Sequence, residues 1–269
     1  MPGGRGAAVG RRRGAGAGLT AGRGDVIDLH CHIVPGIDDG AQELDDAVAM
    51  ASQAAADGIE LVCATPHIRH DHDVRIEALR DHVAELNTAL ERARVSARVL
   101  AGGEVAETTA GGLSADELRR VSLGAGRRWI LVEPAPGPLS DSLRQTVDDL
   151  AARGFRSVIA HPERHLTADL ERRLAELIAR GALVQATAAF MIEPETAAAM
   201  AELAMRGLIH VLGSDSHSAV HGRPVELSGG LAALSEIETT APHIDWIARA
   251  APSAIIAGRD VEPPYRPLA

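Results

Sequence analysis

The chain has 269 residues, of which 46% are hydrophobic and 2% are aromatic, and its formal net charge is −10. Five arginines and no acidic residue lie within residues 1–24, so −10 less these five positive charges leaves −15 on the remainder. A body this acidic argues against a nucleic-acid-binding surface, and no apolar run approaches the roughly 20 residues that a membrane span needs.

Residues 1–24 are mostly Gly, Ala and Arg, without a periodic apolar pattern. Such a segment cannot bury enough apolar surface to order itself, so we expect a disordered tail followed by one domain over residues 25–269. No apolar stretch follows the arginines, which argues against a secretory signal. Two cysteines in the whole chain make no disulfide framework, so we expect a cytoplasmic protein.

From residue 25 onward, short apolar runs alternate with amphipathic stretches, which predicts seven strands joined by helices. The predicted strands are 26–33, 59–67, 98–105, 128–134, 157–162, 182–187 and 209–214. The predicted helices are 44–57, 76–93, 139–153, 168–180 and 195–206, with a last helical region over 227–250. Gly58, Gly154, Gly181 and Gly207 stand where a left-handed residue ends a helix. Repeated βα units imply parallel strands with right-handed crossovers and favour a barrel over an open sheet.

Side chains that bind metals stand at the ends of six of the seven predicted strands. They are His30, His32, His67, Glu104, Glu133, His161, Asp215 and His217. In a parallel barrel these strand ends share one face, where active sites are built. Imidazole and carboxylate together suit Zn, Mn or Fe. Five histidines and three carboxylates are more ligands than one ion binds, so we expect carboxylates that bridge two or three ions.

The spacing of two ligand pairs strengthens this interpretation. His30 and His32 are two residues apart on a strand, so both side chains point to the same side, and Asp215 and His217 repeat the spacing. A single strand-end histidine is more often structural than a ligand. We expect His165 and His221 to lie near the site, within reach of a substrate, and His72 to be solvated.

Two arginines, Arg164 and Arg223, also follow strand ends on the expected active face. A guanidinium fork binds phosphate in a bidentate manner and stabilises charge in the transition state, so both are candidate catalytic residues. The alternative for each is an ordinary surface salt bridge. Next to a cluster of metal ligands we favour phosphate binding.

A competing pattern runs from Cys63 to Arg69, which have the C-x5-R spacing of cysteine-based tyrosine phosphatases. In those enzymes a thiolate attacks phosphorus from a loop of backbone N–H groups. This stretch lacks the usual glycines, contains Pro66, and places Cys63 inside a predicted strand. We therefore expect Cys63 to be a buried small hydrophobic residue.

Residues 28–41 (DLHCHIVPGIDDGA) resemble the opening motif of the PHP (polymerase and histidinol phosphatase) superfamily. More narrowly, they are similar to those of the capsule-type, manganese-dependent bacterial protein-tyrosine phosphatases. The resemblance continues in order through TPH at 65–67, GE at 103–104, LVE at 131–133, IAHPER at 159–164, GSDSH at 213–217 and GRP at 222–224. The H-x-H pair followed by D-D-G is its most specific part.

The resemblance implies a distorted, TIM-like seven-stranded (βα) barrel with three divalent ions. Manganese is the expected metal, and iron or zinc are the alternatives. The resemblance also implies one ion on His30, His32, Glu104 and Asp215, and a second on Glu104, Glu133 and His161. It places the third on Asp39, His67 and His217, with Asp38 as the alternative to Asp39. Arg164 and Arg223 match the family's phosphate-binding arginines.

The activity implied is hydrolysis of phosphotyrosine without a covalent enzyme intermediate. The expected substrate is a bacterial tyrosine kinase that controls polysaccharide synthesis. Two alternatives stay open: a histidinol-phosphate phosphatase or another PHP phosphoesterase, and a non-catalytic metal-binding regulatory protein. Residues 186–190 (ATAAF) are more apolar than expected for a tyrosine phosphatase of this type.

Overall fold

A computed structural model describes residues 25–268, so the predicted tail of residues 1–24 lies outside the described part of the chain. Residues 25–268 form an α/β domain with nine strands, all of whose pairings are parallel. The strands are β1 (Ile27–Cys31), β2 (Leu61–Ala64), β3 (His67–Ile68), β4 (Arg98–Ala101), β5 (Glu104–Ala106), β6 (Trp129–Glu133), β7 (Arg156–Ile159), β8 (Leu183–Thr187) and β9 (Val211–Gly213). No helix in this part of the chain is long and apolar enough to cross a membrane.

The strands form a three-stranded sheet of order β1-β2-β4 and a six-stranded sheet of order β3-β5-β6-β7-β8-β9. The predicted strands 59–67 and 98–105 are each divided in two, which corrects the prediction of seven unbroken strands. Pro66 has no N–H to donate to a ladder, and it stands at the first break. At the second break, a Cβ on Gly102 would lie 3.2 Å from the carbonyl oxygen of Ala64.

Backbone hydrogen bonds connect the two sheets. The N–H of Glu104 donates to the carbonyl of Pro66 (3.0 Å), next to the break. On the other side, the N–H of Asp215 donates to the carbonyl of His30 (2.8 Å), and the N–H of His32 donates to the carbonyl of Ser216 (2.9 Å). The domain is thus a curled parallel sheet in two parts, and its description as one closed seven-stranded barrel stays a prediction.

Helices follow most strands and cover the outside of the sheets. They are α1 (Leu44–Ala56), α2 (Leu79–Ala93), α3 (Glu107–Ala110), α4 (Ala115–Val121), α5 (Asp141–Ala152), α6 (Leu170–Ile178), α7 (Ala197–Met205), α8 (Ser228–Ser235) and α9 (Ala251–Ile256). The four glycines predicted to end helices all have positive φ angles, between 71° and 86°, which confirms that prediction. The predicted helical region 227–250 is instead divided into α8, a short 3₁₀ turn (Ala241–His243) and a π-helical segment (Trp246–Ala250).

Aliphatic side chains fill the core on both sides of the strands. One apolar cluster lies between the strands and the outer helices, and a smaller one includes Leu29, Trp129, Leu131 and Ile255. Side chains alternate along a strand, so Glu133 lies on the same face of β6 as Trp129 and Leu131. That face is therefore apolar along most of β6 and ends in a carboxylate, at the end of the sheet where the other ligand candidates lie.

Candidate metal centre

Glu104, at the start of β5, is at the centre of the predicted ligand set. Its Oε1 lies 2.9 Å from His161 Nε2 and 3.4 Å from His30 Nε2. Its Oε2 lies 3.4 Å from His32 Nε2 and 3.0 Å from His67 Nδ1. One carboxylate therefore faces four imidazoles, which lie in β1 or just after it, in β3, and just after β7.

The candidate ligand atoms form three overlapping groups, in each of which the atoms lie within 4.8 Å of one another. The groups are His30–His32–Glu104, His67–Glu104–Glu133 and His32–Asp39–His67–His217. The family resemblance implied that His161 shares an ion with Glu104 and Glu133, whereas the atoms that lie closest together in the structure are those of His67 and these two carboxylates. His161 contacts Glu104 from the other side, and Asp215 Oδ1 lies 3.5 Å from His30 Nε2.

Buried polar atoms without partners show that this set fits a cation. His67 Nδ1 and Glu104 Oε2 are both buried and face each other at 3.0 Å, but neither makes a well-aligned hydrogen bond within the described part of the chain. Lone pairs buried in this way are costly unless something satisfies them, and a divalent ion does so for imidazole and carboxylate alike. The nitrogen and oxygen donors are those that manganese, iron and zinc accept.

The charges of the centre keep its carboxylates ionised. Burial by itself raises the pKa of Glu104, but the charge of His30, the hydrogen bond from His161 and the nearby imidazole of His32 hold that pKa well below its usual range. Burial likewise raises the pKa of Asp215, and the charges of His30 and of the two arginines bring it down to about 2. Ionised carboxylates are the form that binds a metal ion.

Two hydrogen bonds orient the histidines of β1. His30 Nδ1 lies 2.9 Å from Gln185 Oε1, and His32 Nδ1 lies 2.8 Å from Asp38 Oδ2. A proton on each Nδ1 leaves each Nε2 free to bind a metal, and the two Nε2 atoms are 3.2 Å apart. The sequence analysis missed Gln185, although a polar residue inside the apolar strand β8 was a signal that could have found it.

Arg164 and Arg223 approach the centre from the solvent side. Each places an Nη2 on Asp215 Oδ2, at 2.6 and 2.8 Å respectively. Their side chains are 39% and 24% exposed, whereas Asp215 is 1% exposed. Both guanidinium groups therefore stand between the ligand cluster and solvent.

A third arginine, Arg69, was not among the predicted site residues for this role. Its Nη1 lies 3.3 Å from both carboxylate oxygens of Glu133. Its Nη2 lies 3.3 Å from His72 Nε2, and the His72 ring stacks on His67 with centroids 5.1 Å apart. His72 is thus half-buried against the centre, and the expectation that it is solvated is wrong.

The remaining candidates lie away from the centre or are covered. His165 is 3% exposed, and its Nδ1 lies 2.6 Å from the carbonyl oxygen of Gly137, so it is held inside the fold instead of facing a substrate. Burial raises the pKa of Cys63 to about 12, and its side chain is fully buried in the apolar interior. Cys63 therefore has neither the thiolate character nor the access that a nucleophile needs.

Backbone conformation at the centre is unusual at two ligand positions. His161 and Asp215 have φ angles of 37° and 49°, in the left-handed region that non-glycine residues seldom adopt. Gly40 follows the Asp38–Asp39 pair, and a Cβ there would lie 2.1 Å from the carbonyl oxygen of His32. Only glycine permits this approach, which brings the acidic loop against β1.

Solved structures and characterised relatives resemble this chain over most of its length. The tyrosine-protein phosphatase YwqE of Bacillus subtilis is 32% identical over 201 residues, which cover 72% of this chain and 78% of that protein. The tyrosine-protein phosphatase CpsB of Streptococcus pneumoniae is 24% identical over 203 residues, covering 72% and 83%. A crystal structure from work on YwqE and CpsB as metal-dependent tyrosine phosphatases superposes with a TM-score of 0.78. It has 28% identity and covers 90% of this chain and 99% of that one.

More distant structures share the fold alone. The lactonase Lmo2620 of Listeria monocytogenes superposes with a TM-score of 0.54 at 12% identity, covering 88% of this chain and 95% of that one. The profile of the family described as "Capsular polysaccharide synthesis, CpsB/CapC" matches residues 26–256, which hold every candidate ligand and both arginines. The chain therefore belongs to the CpsB/CapC family of capsular polysaccharide synthesis.

Proposed function

We propose that this protein is a metal-dependent protein-tyrosine phosphatase. The observation that carries the proposal is the convergence of His30, His32, His67, Glu104 and Asp215 beneath two partly exposed guanidinium groups. Imidazoles and carboxylates around one bridging glutamate suit several divalent ions, and arginines at the mouth suit a phosphate. The relatives that are named tyrosine phosphatases support phosphotyrosine as the substrate group.

We assign three divalent ions to the centre, with manganese preferred over iron or zinc. His30, His32, Glu104 and Asp215 would hold the first ion, and Glu104 would bridge to the second. The second ion would use Glu133 and His161, because His161 Nε2 lies 2.9 Å from Glu104 Oε1 and the Nε2 of His67 faces Asp39 instead. Asp39 and His217 would hold the third ion together with His67.

The proposal of a seven-stranded barrel is supported by the hydrogen bonds between β1 and the chain after β9.

The chemistry follows from where the residues lie. Bound divalent cations would supply Lewis acidity towards phosphoryl oxygens and would make hydroxide available from water near neutral pH. Arg164 and Arg223 bind the phosphoryl oxygens in place of their present contacts with Asp215, and they stabilise the charge that develops there. The phenolate of tyrosine leaves more easily than an alkoxide, so the site needs little help from a general acid.

The physiological substrate that we propose is a bacterial tyrosine kinase of polysaccharide synthesis, in keeping with the family to which the chain belongs. A cytoplasmic location is part of the same proposal. Cys31 and Cys63 are both buried and unpaired, as is usual in a reducing compartment.

The decisive experiment measures hydrolysis of a phosphotyrosine peptide before and after metal removal. EDTA should abolish turnover, and added Mn²⁺ should restore it. Cys63→Ser should keep most of the activity, because that thiol is buried and protonated. Loss of activity in Cys63→Ser together with resistance to EDTA would overturn the metal mechanism.

The same assay separates the alternatives. Turnover of histidinol phosphate without turnover of phosphotyrosine would contradict the proposed substrate while leaving the phosphatase chemistry in place. A manganese-loaded protein that hydrolyses no aryl phosphate would instead indicate a non-catalytic metal-binding protein.

A further inference from the structure

A pocket of about 280 Å³ lies beside Arg223 and outside the metal centre. One wall is Pro224, which directly follows Arg223, and another is Ala188–Ala189, which directly follow β8. The next residue, Phe190, has the guanidinium carbon of Arg223 5.4 Å from its ring centroid. The pocket and the guanidinium group are therefore positioned by the same two chain segments.

The lining of this pocket is mainly apolar, with Ile192 and Pro194 beside the alanines and Pro224. Its floor is the start of α8. A Cβ on Gly230 would lie 2.9 Å from Ala188 Cα, so glycine allows α8 to approach closely. At the neighbouring Gly229, an added Cβ would lie 3.0 Å from Ile192 Cδ1, the flexible end of a side chain that lines the pocket. Ile192 is 56% exposed, which is unusual for a large aliphatic side chain. Apolar surface that stays open next to a reactive centre is typical of a ligand subsite.

Two carboxylates, Glu193 and Glu226, complete the lining. Their charge favours a cationic group over an anionic one. The pocket therefore does not suit the phosphate itself, for which the partly exposed Arg164 and Arg223 are the cationic groups at the centre. It suits a large apolar side chain of a peptide, next to a residue with a positive charge.

Resting on the proposed phosphatase function, we propose that this pocket binds an apolar side chain that flanks the phosphotyrosine in the protein substrate. The two glutamates select a basic residue beside that apolar one. The substrate would then be held at two points, by its phosphate on Arg223 and by its apolar side chain against Pro224. Ala188 and Ala189, within the apolar stretch 186–190 that was unexpected in the sequence, form one wall of this subsite.

Gly229→Leu tests the proposal, because a leucine there fills the pocket without replacing a residue of the metal centre. The matched control is Gly111→Leu, at an exposed position where an added Cβ meets nothing within 4 Å. The substrates are a phosphotyrosine peptide with flanking Leu and Arg, the same peptide with Asp at both positions, and p-nitrophenyl phosphate. The peptides are made with the flanking residues on either side of the phosphotyrosine.

The unmodified chain should prefer the Leu–Arg peptide over the Asp peptide by about tenfold or more in kcat/KM, the scale expected when one large apolar side chain is buried. Gly229→Leu should lose this preference through a higher KM and keep its activity on p-nitrophenyl phosphate. Gly111→Leu should behave as the unmodified chain does. Ile192→Asp, at an exposed position, tests the same pocket without crowding α8 and should also remove the preference.

Equal kcat/KM for the two peptides in the unmodified chain would overturn the proposal. An equal loss on p-nitrophenyl phosphate and on the peptide in Gly229→Leu would also overturn it, because the pocket would then hold the phosphotyrosine ring. If the unmodified, manganese-loaded chain hydrolyses none of the three substrates, the proposed phosphatase function itself fails, and this inference fails with it.

Discussion

Asp38 and Asp39 are adjacent in the chain but have different partners. Asp38 Oδ2 accepts hydrogen bonds from His32 Nδ1 (2.8 Å) and from the N–H of His67 (3.1 Å). Asp39 Oδ1 lies 3.4 Å from His67 Nε2 and 3.6 Å from His217 Nε2, and its side chain is 55% exposed. The geometry therefore favours Asp39 as the ligand and Asp38 as the residue that orients His32.

Substitution of each aspartate should separate these roles. Asp39→Ala should lower the manganese bound at saturation by one ion per chain. Asp38→Asn should keep the full number of ions but weaken their binding by roughly 10- to 100-fold, the usual cost of losing a residue that orients a ligand. Metal analysis after equilibrium dialysis against graded Mn²⁺ measures both effects, with the exposed Asp73→Asn as control. The reverse pattern would make Asp38 the ligand.

At the scale of elements, the two interrupted strands explain how the centre forms. His67 begins β3, and Glu104 begins β5, just after the breaks, and the two residues pair in register. The apolar pattern over 59–67 and 98–105 is continuous, so periodicity alone predicted single strands. The breaks depend on Pro66 and on the close approach of Gly102 to Ala64, and the second of these is a contact between distant parts of the chain.

Helix α4 carries no residue of the metal centre, so its contribution to stability can be tested separately from activity. Ser114 Oγ accepts a hydrogen bond from the N–H of Glu117 (3.2 Å), and Glu117 Oε2 accepts one from the N–H of Ser114 (2.7 Å). Ser114→Ala removes this cap and should cost about 1 kcal/mol. For a domain of this size that lowers Tm by roughly 2–4 °C.

Thermal unfolding and kcat/KM on an aryl phosphate should be measured together for Ser114→Ala. The control is Ser52→Ala in α1, whose exposed hydroxyl donates only to the carbonyl of Val48 one turn earlier. We expect Tm to fall in the first variant alone and activity to be retained in both. A loss of activity in Ser114→Ala at a temperature where it is folded would connect α4 to the centre.

At the scale of the whole molecule, His210 connects folding to pH. It is fully buried between β8 and the C-terminal segment, its Nδ1 accepts a hydrogen bond from the N–H of Val184 (3.1 Å), and its ring stacks on Tyr265. Burial lowers the pKa of His210 to about 3, from 6.5 for an exposed histidine. Between pH 3 and pH 6.5, His210 is therefore protonated in the unfolded chain and neutral in the folded chain.

Stability should consequently fall as the pH drops below 6.5, and the contribution of His210 should approach about 1.4 kcal/mol per pH unit until the pH nears 3. His210→Asn keeps an acceptor for Val184 but cannot titrate, so its free energy of unfolding should fall less steeply. Urea unfolding of both proteins at pH 7, 6 and 5 in EDTA measures the difference. Parallel curves would show that folding does not lower the pKa of His210.

The amino-acid sequence by itself determined which residue types stand at which strand ends, where four helices stop, and the order of the motifs. These follow from local periodicity and backbone preference. Only the tertiary structure decided that His67 lies between Glu104 and Asp39, that Gln185 orients His30, and that Arg69 contacts Glu133. Each of these depends on distances across strands. Such distances are set by the strand breaks, by register, and by the left-handed conformations of His161 and Asp215, which no local pattern in the sequence specifies.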